Sequence, residues 1–328
     1  MGIRNLNRYL RDTCPNSIRC INMADIYGKR IVVDISIYLY KYEAEEALLE
    51  NMYVMLSIFK HYNIIPIFIF DGKPPPEKKA LLIRRKKNRE TAQEEYGKLK
   101  FQLENNSNNY EKQHIVSSME QLKQQCVQIN KHKIDKVKSL IKAYGATYYD
   151  APGEADELCA LLVIKKKVWA CLSEDMDLFV YGCTRVLRYF SLMCHTAVLY
   201  YMKDILNELD ISQQEFKEIC VLSGTDYNIN ADGKHDNDNV NLMQTFKYFR
   251  KFKKSNNTNV KFYDWVLDNS NYISDIKLLN NIICLFSLDV KPETLDALNN
   301  IKIFAGQINQ CAVEDIMKDD GFIFCKHI

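Results

Sequence analysis

The sequence predicts an α/β protein built on a mostly parallel twisted sheet flanked by helices. Four short runs rich in β-branched and aromatic residues have the composition of strands buried inside a sheet, and each run ends in an acidic residue. Apolar positions recur at helical spacing between the first and second runs and again between the third and fourth, as in βαβ units. A pair of aromatic-rich runs later in the chain predicts two added strands. The four runs are 30–34, 64–71, 146–150 and 168–175, the added pair is 185–190 and 196–201, and the helical segments are 39–62 and 154–166.

Composition places the chain among globular proteins. Of its 328 residues, 47% are hydrophobic and 26% are charged, so the chain can bury a large core and is not disordered throughout. The apolar run 64–70 is far shorter than the ~20 residues that span a bilayer, and the N-terminus lacks the apolar stretch of a secretory signal. The 11 cysteines are odd in number and include no C-x-x-C pair, which argues against a disulfide framework and a zinc site. We therefore expect a soluble, intracellular protein that is not secreted and keeps its cysteines reduced.

Two stretches depart from the alternation of strands and helices. Residues 74–138 are charged and helix-favouring, with a polar stretch at 105–109 that no core could use, which predicts two helical arms joined by a mobile tip. After residue 227 the composition shifts to Asn, Asp and Lys, and helical patterns follow. We therefore expect a core at 1–227 that contains the helical insertion, and a helical C-terminal region at 228–328.

Charge is unevenly distributed along the chain although the net charge is only +2. Basic residues crowd into 78–89 and again into 247–261. Such stretches are either solvated helix faces or surfaces that hold a polyanion, and the acidic residues must then be concentrated elsewhere.

Acidic residues mark the ends of predicted strands and the starts of predicted helices. In an open α/β sheet, ligands bind outside the carboxyl ends of the strands, where such positions converge. A single residue of this kind is usually a cap or a turn residue, but several carboxylates at one rim repel one another unless cations lie between them. Oxygen ligands favour Mg²⁺ or Mn²⁺ over zinc, and a two-metal phosphodiesterase needs this composition. The seven acidic residues are Asp34, Asp71, Glu154, Asp156, Asp175, Asp177 and Asp226.

Six motifs follow one another along residues 1–227. They are MGIRNLNRYL, IYGKRIVVDISIYLYKY, FDGKPPPEKKALLIRRKKNRE, YDAPGEADELCALL, SEDMDLFVYG and LSGTDYN. In this order they resemble the successive motifs of the flap endonuclease/XPG family of structure-specific 5′-nucleases, including divergent members of the kind found in large DNA viruses. The resemblance implies a PIN-like 5′-nuclease fold in which residues 74–138 form a helical arch around or above a single-stranded 5′ end.

The resemblance also implies roles for individual residues. The seven acidic residues named above match the positions at which the family holds two Mg²⁺ ions, for which Mn²⁺ can substitute, and Asp34, Asp71 and Asp175 are expected to be catalytic. Lys78 and Arg85 match the basic pair that reaches the scissile phosphate. The other positions expected to contact DNA in this region are Gly2, Tyr38, Tyr40, Arg84 and Arg89. For the two tyrosines, stacking on a base and burial in the core are both open.

The sequence departs from the family after Asp226. Where family members have a Gly-rich turn that binds duplex phosphate and K⁺, residues 228–239 contain one Gly and several acids, so we do not expect a K⁺ site. We expect the basic stretch with Lys247, Arg250 and Lys251 to hold the duplex instead. The C-terminus lacks the Gln-plus-aromatic box that binds the sliding clamp. We otherwise expect a monomer that acts on branched or flapped DNA, in the nucleus or at a viral replication site, without a membrane partner.

Three functions remain open at this point. The first is a Mg²⁺-dependent nuclease that cuts phosphodiesters at 5′ flaps and single-strand/duplex junctions during DNA replication, repair or recombination. The second is a processive 5′ to 3′ exonuclease, favoured by Asp156, which stands where flap endonucleases mostly have Glu. The third is a non-catalytic DNA-junction binder or replication scaffold. The presence of all seven acidic residues argues against the third, since a scaffold has no need of carboxylates that repel one another.

Overall fold

The computed structural model describes residues 2–105, 109–228, 241–255, 260–273, 275–288 and 292–324. Of the predicted mobile tip, residues 106–108 lie outside the described residues, and so do residues 229–239 of the loop 228–239, in which we expect no K⁺ site. The described residues form a seven-stranded sheet with helices packed on both of its faces.

The sheet has a parallel centre and an antiparallel flank. Its strands are β1 (Ile18–Asn22), β2 (Arg30–Asp34), β3 (Ile65–Phe70), β4 (Thr147–Asp150), β5 (Ala170–Leu172), β6 (Arg185–Ser191) and β7 (Thr196–Tyr201). In space they follow the order β1-β7-β6-β5-β2-β3-β4. The strands from β6 to β4 pair in parallel, whereas β7 pairs antiparallel with both β6 and β1. The predicted α/β class with a mostly parallel sheet is therefore confirmed.

Two strands differ from the sequence prediction. The last predicted parallel strand is only three residues long. After Ser173, whose backbone N–H still donates to Leu187 of β6, the two acidic residues turn toward the site described below. β1 was not predicted, since only Ile21 of its five residues is buried and the strand has no apolar run. It is an edge strand that exists through its pairing with β7.

Fifteen α-helices surround the sheet in the described part of the chain, and none of these is both long and apolar enough to cross a membrane. The predicted helix at 39–62 is in fact two helices, because Glu46 adopts a left-handed φ of 56° and ends the first of them. The helices are α1 (Leu6–Thr13), α2 (Ile35–Ala44), α3 (Leu48–His61), α4 (Lys79–Asn105), α5 (Asn109–Gln125), α6 (Lys131–Ala143), α7 (Ala155–Ile164), α8 (Asp177–Val180), α9 (Met202–Leu209), α10 (Gln213–Ser223), α11 (Leu242–Lys254), α12 (Phe262–Asn269), α13 (Ile276–Leu285), α14 (Pro292–Asn300) and α15 (Gln310–Lys318).

Two hydrophobic cores lie on opposite faces of the sheet. Successive side chains of a strand point to opposite faces, so Val32 of β2 joins one core and its neighbours Ile31 and Val33 join the other. The first core contains α1, α7 and α10, and the second contains α2, α3 and α6. Helices α11 to α14 contribute to the first core and α15 to the second. The C-terminal region therefore shares its hydrophobic cores with the sheet.

The helical insertion consists of α4 and α5, which pack against each other. At 1.5 Å per residue, the 27 residues of α4 extend about 40 Å. The sequence places the end of the insertion at residue 138, but this residue lies inside α6, whose Val137, Leu140 and Ile141 are buried in the second core. The arms therefore end before α6, which belongs to the packed body of the protein.

Candidate active site

The predicted acidic residues lie at one rim of the sheet. Asp34 is the last residue of β2, Asp71 follows β3 and Asp175 lies just beyond β5. Since these three strands are parallel neighbours, their carboxyl ends meet at the same edge. The other four predicted acids come from helix ends at this rim: Glu154 and Asp156 from the start of α7, Asp177 from the start of α8, and Asp226 from the turn after α10.

Two serines orient the carboxylates of Asp34 and Asp71. The Ser173 hydroxyl donates to Asp34 Oδ2 at 2.8 Å, and the Ser36 backbone N–H donates to Asp34 Oδ1 at 3.3 Å. The Ser36 hydroxyl donates to Asp71 Oδ2, while the backbone N–H of Ala155 donates to Asp71 Oδ1 at 2.8 Å. The sequence patterns did not identify either serine as a site residue. The available signal was their spacing from acidic residues, because Ser36 lies two residues after Asp34 and Ser173 lies two residues before Asp175.

Gly2 and the pair Asp175 and Asp177 are in direct contact. The Asp177 backbone N–H donates to Asp175 Oδ1 at 3.0 Å, and the Asp177 carboxylate is fully buried with no hydrogen-bond partner for either oxygen. Gly2 has a φ of +74°. A Cβ atom added there would lie 2.7 Å from Asp175 Oδ1 and closer still to Asp177 Oδ1. Only glycine therefore fits at position 2 with the carboxylates in this arrangement.

Lys78 lies inside the acidic rim and contacts Glu154. Its Nζ is 2.6 Å from Glu154 Oε1 and 5.0 Å from the centroid of the Tyr227 ring. The Tyr227 hydroxyl donates to Glu154 Oε2 at 2.8 Å, so Glu154 is held from both sides. Lys78 is only 8% exposed, which is unusual for a lysine and requires a charged partner. Asp156, in the first turn of α7, is also buried.

Arg85 forms the second basic contact with the acidic residues. Its Nη2 lies 3.2 Å from Asp226 Oδ2, and its side chain is about half exposed whereas that of Asp226 is mostly buried. Arg84 and Arg89 lie on the same helix, α4, and are half-buried. The structure therefore brings the two predicted basic residues, Lys78 and Arg85, into contact with predicted acids.

The pKa values at the rim reflect burial and mutual repulsion. Burial, and next the charge of Asp71, raise the pKa of Asp34 to about 7. Burial also raises the pKa values of Asp156 and Asp177, with further increases from their acidic neighbours. Burial alone would lower the pKa of Lys78, but the surrounding carboxylates raise it above its ordinary value. Negative charge is therefore under-compensated at this rim.

Comparison with known proteins places the chain in a family. Residues 1–92 match the model of the XPG N-terminal domain, and residues 145–226 match that of the XPG I-region. The chain belongs to the flap endonuclease/XPG family of nucleases. All seven acidic residues of the rim lie within the two matched ranges.

Similar proteins extend the likeness beyond these ranges. Flap endonuclease 1 of Lodderomyces elongisporus is 27% identical across 98% of this chain and 84% of its own length. Flap endonuclease 1 of Nematostella vectensis is 28% identical across 79% of this chain and 70% of its own length. Among solved structures, the catalytic core of Rad2 in complex with a DNA substrate has a TM-score of 0.66 at 18% identity and covers 97% of this chain and 94% of its own. The last comparison shows that the fold is shared.

The donor set at the rim fits the divalent metal ions on which nucleases of this family depend. All seven side chains offer carboxylate oxygens, the ligands preferred by hard cations, and the two unpartnered oxygens of Asp177 lack a compensating donor. Within the described residues, however, no three potential ligands are grouped closely enough to hold an ion as they stand. Two of the acids are paired with Lys78 and Arg85 instead. Binding an ion therefore requires carboxylates to turn toward a common point.

The remaining predicted DNA contacts lie on α2 and α11. Of the two possibilities left open for Tyr38, burial in the core is the one observed, because this residue is 1% exposed and lies in the second core, where it cannot stack on a base. Tyr40, two residues later, is 50% exposed and remains a candidate. Lys247, Arg250 and Lys251 are exposed on α11, which packs against α10.

Proposed function

We propose that this chain is a Mg²⁺-dependent nuclease that hydrolyses phosphodiesters at 5′ flaps and single-strand/duplex junctions in DNA replication, repair or recombination. The observation that carries this proposal is the meeting of seven carboxylates with Lys78 and Arg85 at one rim of the sheet. The family membership supports the reaction class, and the arms formed by α4 and α5 next to the rim are suited to single-stranded DNA. We further propose that the protein acts as a monomer.

The seven acidic residues are the groups that would hold two Mg²⁺ ions, with Mn²⁺ as a substitute. When bound, such ions activate a water molecule and stabilise the leaving oxygen of the phosphodiester. Ser36 and Ser173 would keep the carboxylates of Asp34 and Asp71 oriented when the ions bind. Asp34, Asp71 and Asp175 lie at the ends of adjacent strands, and we assign them the catalytic positions.

Lys78 and Arg85 would exchange their carboxylate partners for the phosphate that is cut. Lysine supplies a compact charge and arginine a forked donor, and both suit a transition state that spreads negative charge over phosphoryl oxygens. Replacing both by Ala should slow the chemical step by orders of magnitude with a modest loss of DNA affinity. Equal losses in affinity and in single-turnover rate would make them ordinary phosphate anchors.

DNA outside the rim would be held by exposed residues on two helices. Tyr40 on α2 offers a ring for base stacking, and Lys247, Arg250 and Lys251 on α11 offer charges to duplex phosphates. Residues 229–240 lie outside the described residues, but their sequence contains acids and a single Gly, so we propose that no K⁺ ion binds there. Reversing the three charges on α11 should weaken duplex binding and flatten its log–log salt slope by roughly 0.9 for each phosphate that the protein no longer neutralises.

Cleavage of a 5′-flap substrate on addition of Mg²⁺ tests the proposal. Nicked and blunt duplexes of the same sequence are the comparison substrates, and Asp175→Ala is the matched inactive variant. We expect cleavage at the junction, loss of cleavage in the variant and DNA binding that persists or strengthens as negative charge is removed. Residual turnover within tenfold of the unchanged protein would contradict the role of Asp175 as a metal ligand.

A processive 5′ to 3′ exonuclease is the second candidate, and the short acid at position 156 favours it. The two candidates differ in their products. An endonuclease releases the flap as one oligonucleotide, whereas an exonuclease releases mononucleotides from the 5′ end and is active on nicked duplex. The ratio of these products on a 5′-labelled flap distinguishes them.

A further inference from the structure

An N-terminal arginine surface (Arg4, Arg8 and Arg11) borders the active site and has no part in the function proposed above. Arg8 and Arg11 lie three residues apart on α1 and therefore share a face, and Arg4 lies in the turn that leads into this helix. All three are exposed, whereas the opposite face of α1 buries Leu6 and Leu10. The only ion pair of these arginines within the described residues joins Arg8 to Asp12 at 3.7 Å, and both side chains are largely in solvent. A phosphate can displace so exposed a pair.

The position of α1 is fixed by contacts on three sides. Gly2, two residues before Arg4, lies against Asp175 and Asp177 of the active site. The Asn7 amide accepts from the Tyr200 hydroxyl at 2.8 Å and also from Arg188, which holds the helix on β6 and β7. The Tyr9 ring stacks on Phe246 of α11 with a centroid distance of 4.3 Å, and Arg250 donates to the Tyr9 hydroxyl at 3.3 Å. These contacts fix α1 beside the carboxylates at its N-terminal end and against α11 through the buried Tyr9.

Tyr189 lies at the edge of this surface in a strained conformation. It occupies a bulge of β6 with a φ of 55°, which a bulky residue rarely adopts, and its ring is 43% exposed. Its N–H donates to Glu174, the residue before Asp175, and its hydroxyl accepts from the Asn7 amide at 2.8 Å. Arg188 lies 4.9 Å from the centre of its ring. A glycine would satisfy the backbone here without strain. The tyrosine side chain instead contacts Asn7 and Arg188 and still leaves 43% of the residue exposed.

We propose that Arg4, Arg8, Arg11 and Tyr189 form a DNA-binding surface that leads the cleaved strand to the carboxylates. The arginines bind successive phosphates, and the Tyr189 ring stacks on a base or sugar next to the scissile bond. The surface rests on the proposed nuclease function, since its occupant is the DNA that this active site would cut. This surface is separate from the basic residues of α11 and requires no movement of α1.

Binding of a 5′-flap duplex in EDTA, where metal-dependent cleavage cannot proceed, tests the arginines. The variant is R4Q/R8Q/R11Q, and the matched control is K29Q/K277Q/K302Q, which removes three charges from exposed lysines elsewhere in the described part of the chain. We expect the log–log salt slope of the arginine variant to flatten by roughly 0.9 for each phosphate released from the protein, with little change in the control. Equal slopes in the two variants would overturn the role of the arginines.

Tyr189→Gly and Tyr189→Phe test the ring. If Tyr189 stacks on DNA, the Gly variant should bind the flap roughly five- to 150-fold more weakly. The Phe variant loses the same hydrogen bond to Asn7 but keeps the ring, so it should retain most of the affinity. A Gly variant with unchanged affinity would overturn this part of the proposal. If the unchanged protein neither binds nor cleaves the flap, the proposed function fails as well. If the unchanged protein binds and cleaves the flap normally, a negative result with the variants refutes the DNA-binding surface alone.

Discussion

The stability of the metal-free protein should fall as the pH rises from about 5 to about 8. Asp34 is buried at the end of β2, and burial followed by the charge of Asp71 raises its pKa from 3.8 in the unfolded reference to about 7 in the fold. A carboxyl with a raised pKa binds its proton more tightly in the folded state. The folded state is therefore favoured at low pH, and it loses free energy as the pH rises through the interval between the two pKa values.

The magnitude follows from the size of this interval. One pKa unit corresponds to about 1.4 kcal/mol, so Asp34 alone would cost about 4 kcal/mol once the pH exceeds its folded pKa. About 3 kcal/mol of this cost falls between pH 5 and pH 8. Asp156 and Asp177 have raised pKa values and act in the same direction. A bound divalent ion compensates these charges, so it should stabilise the protein most at high pH.

Urea unfolding monitored by circular dichroism, with EDTA and with millimolar Mg²⁺, measures these effects. We expect the free energy of unfolding to decline by a few kcal/mol between pH 5 and pH 8 in EDTA and to change much less in Mg²⁺. Asp34→Asn, which cannot ionise at position 34, should flatten the decline in EDTA. A metal-free protein that is equally stable at both pH values would refute the under-compensated charge at the rim.

Three further predictions concern residues that the structure places in contrasting surroundings. Gly2→Ala should lower the single-turnover cleavage rate at least about tenfold, since the added methyl group would displace Asp175 and Asp177. The positive φ of this residue also disfavours Ala by roughly 1–2 kcal/mol. An unchanged rate would contradict the close approach of Gly2 to these carboxylates. Tyr38→Phe should leave stability unchanged or raise it by up to about 1 kcal/mol, because the buried hydroxyl has no hydrogen-bond partner, and thermal unfolding measures this. Tyr40→Ala should weaken flap binding in a titration without lowering the melting temperature, and a loss of stability instead would assign this ring to the core.

Local sequence patterns were enough to predict the parallel centre of the sheet and the acidic residues at its rim. Buried parallel strands such as β2 and β3 are recognisable by their continuous β-branched runs. Because parallel strands end at one edge of a sheet, Asp34 at the end of β2 and Asp71 just after β3 could be predicted to lie at the same rim. The edge strand β1 has no such run, and the break between α2 and α3 depends on one residue with a positive φ. Neither feature leaves a clear pattern in a single sequence.

The sequence by itself determined the fold class, the order of the motifs and the types of acidic and basic residue that lie at the rim, because these depend on residue type and on spacing along the chain. Only the tertiary structure decided which of two tyrosines two residues apart is buried, and that Lys78 pairs with Glu154 while Arg85 pairs with Asp226. It also brought Gly2 to Asp177 and Tyr189 to Asn7, across more than 170 residues of chain in each case. Such contacts depend on how helices and strands pack in space, and sequence periodicity carries information only about neighbours along the chain.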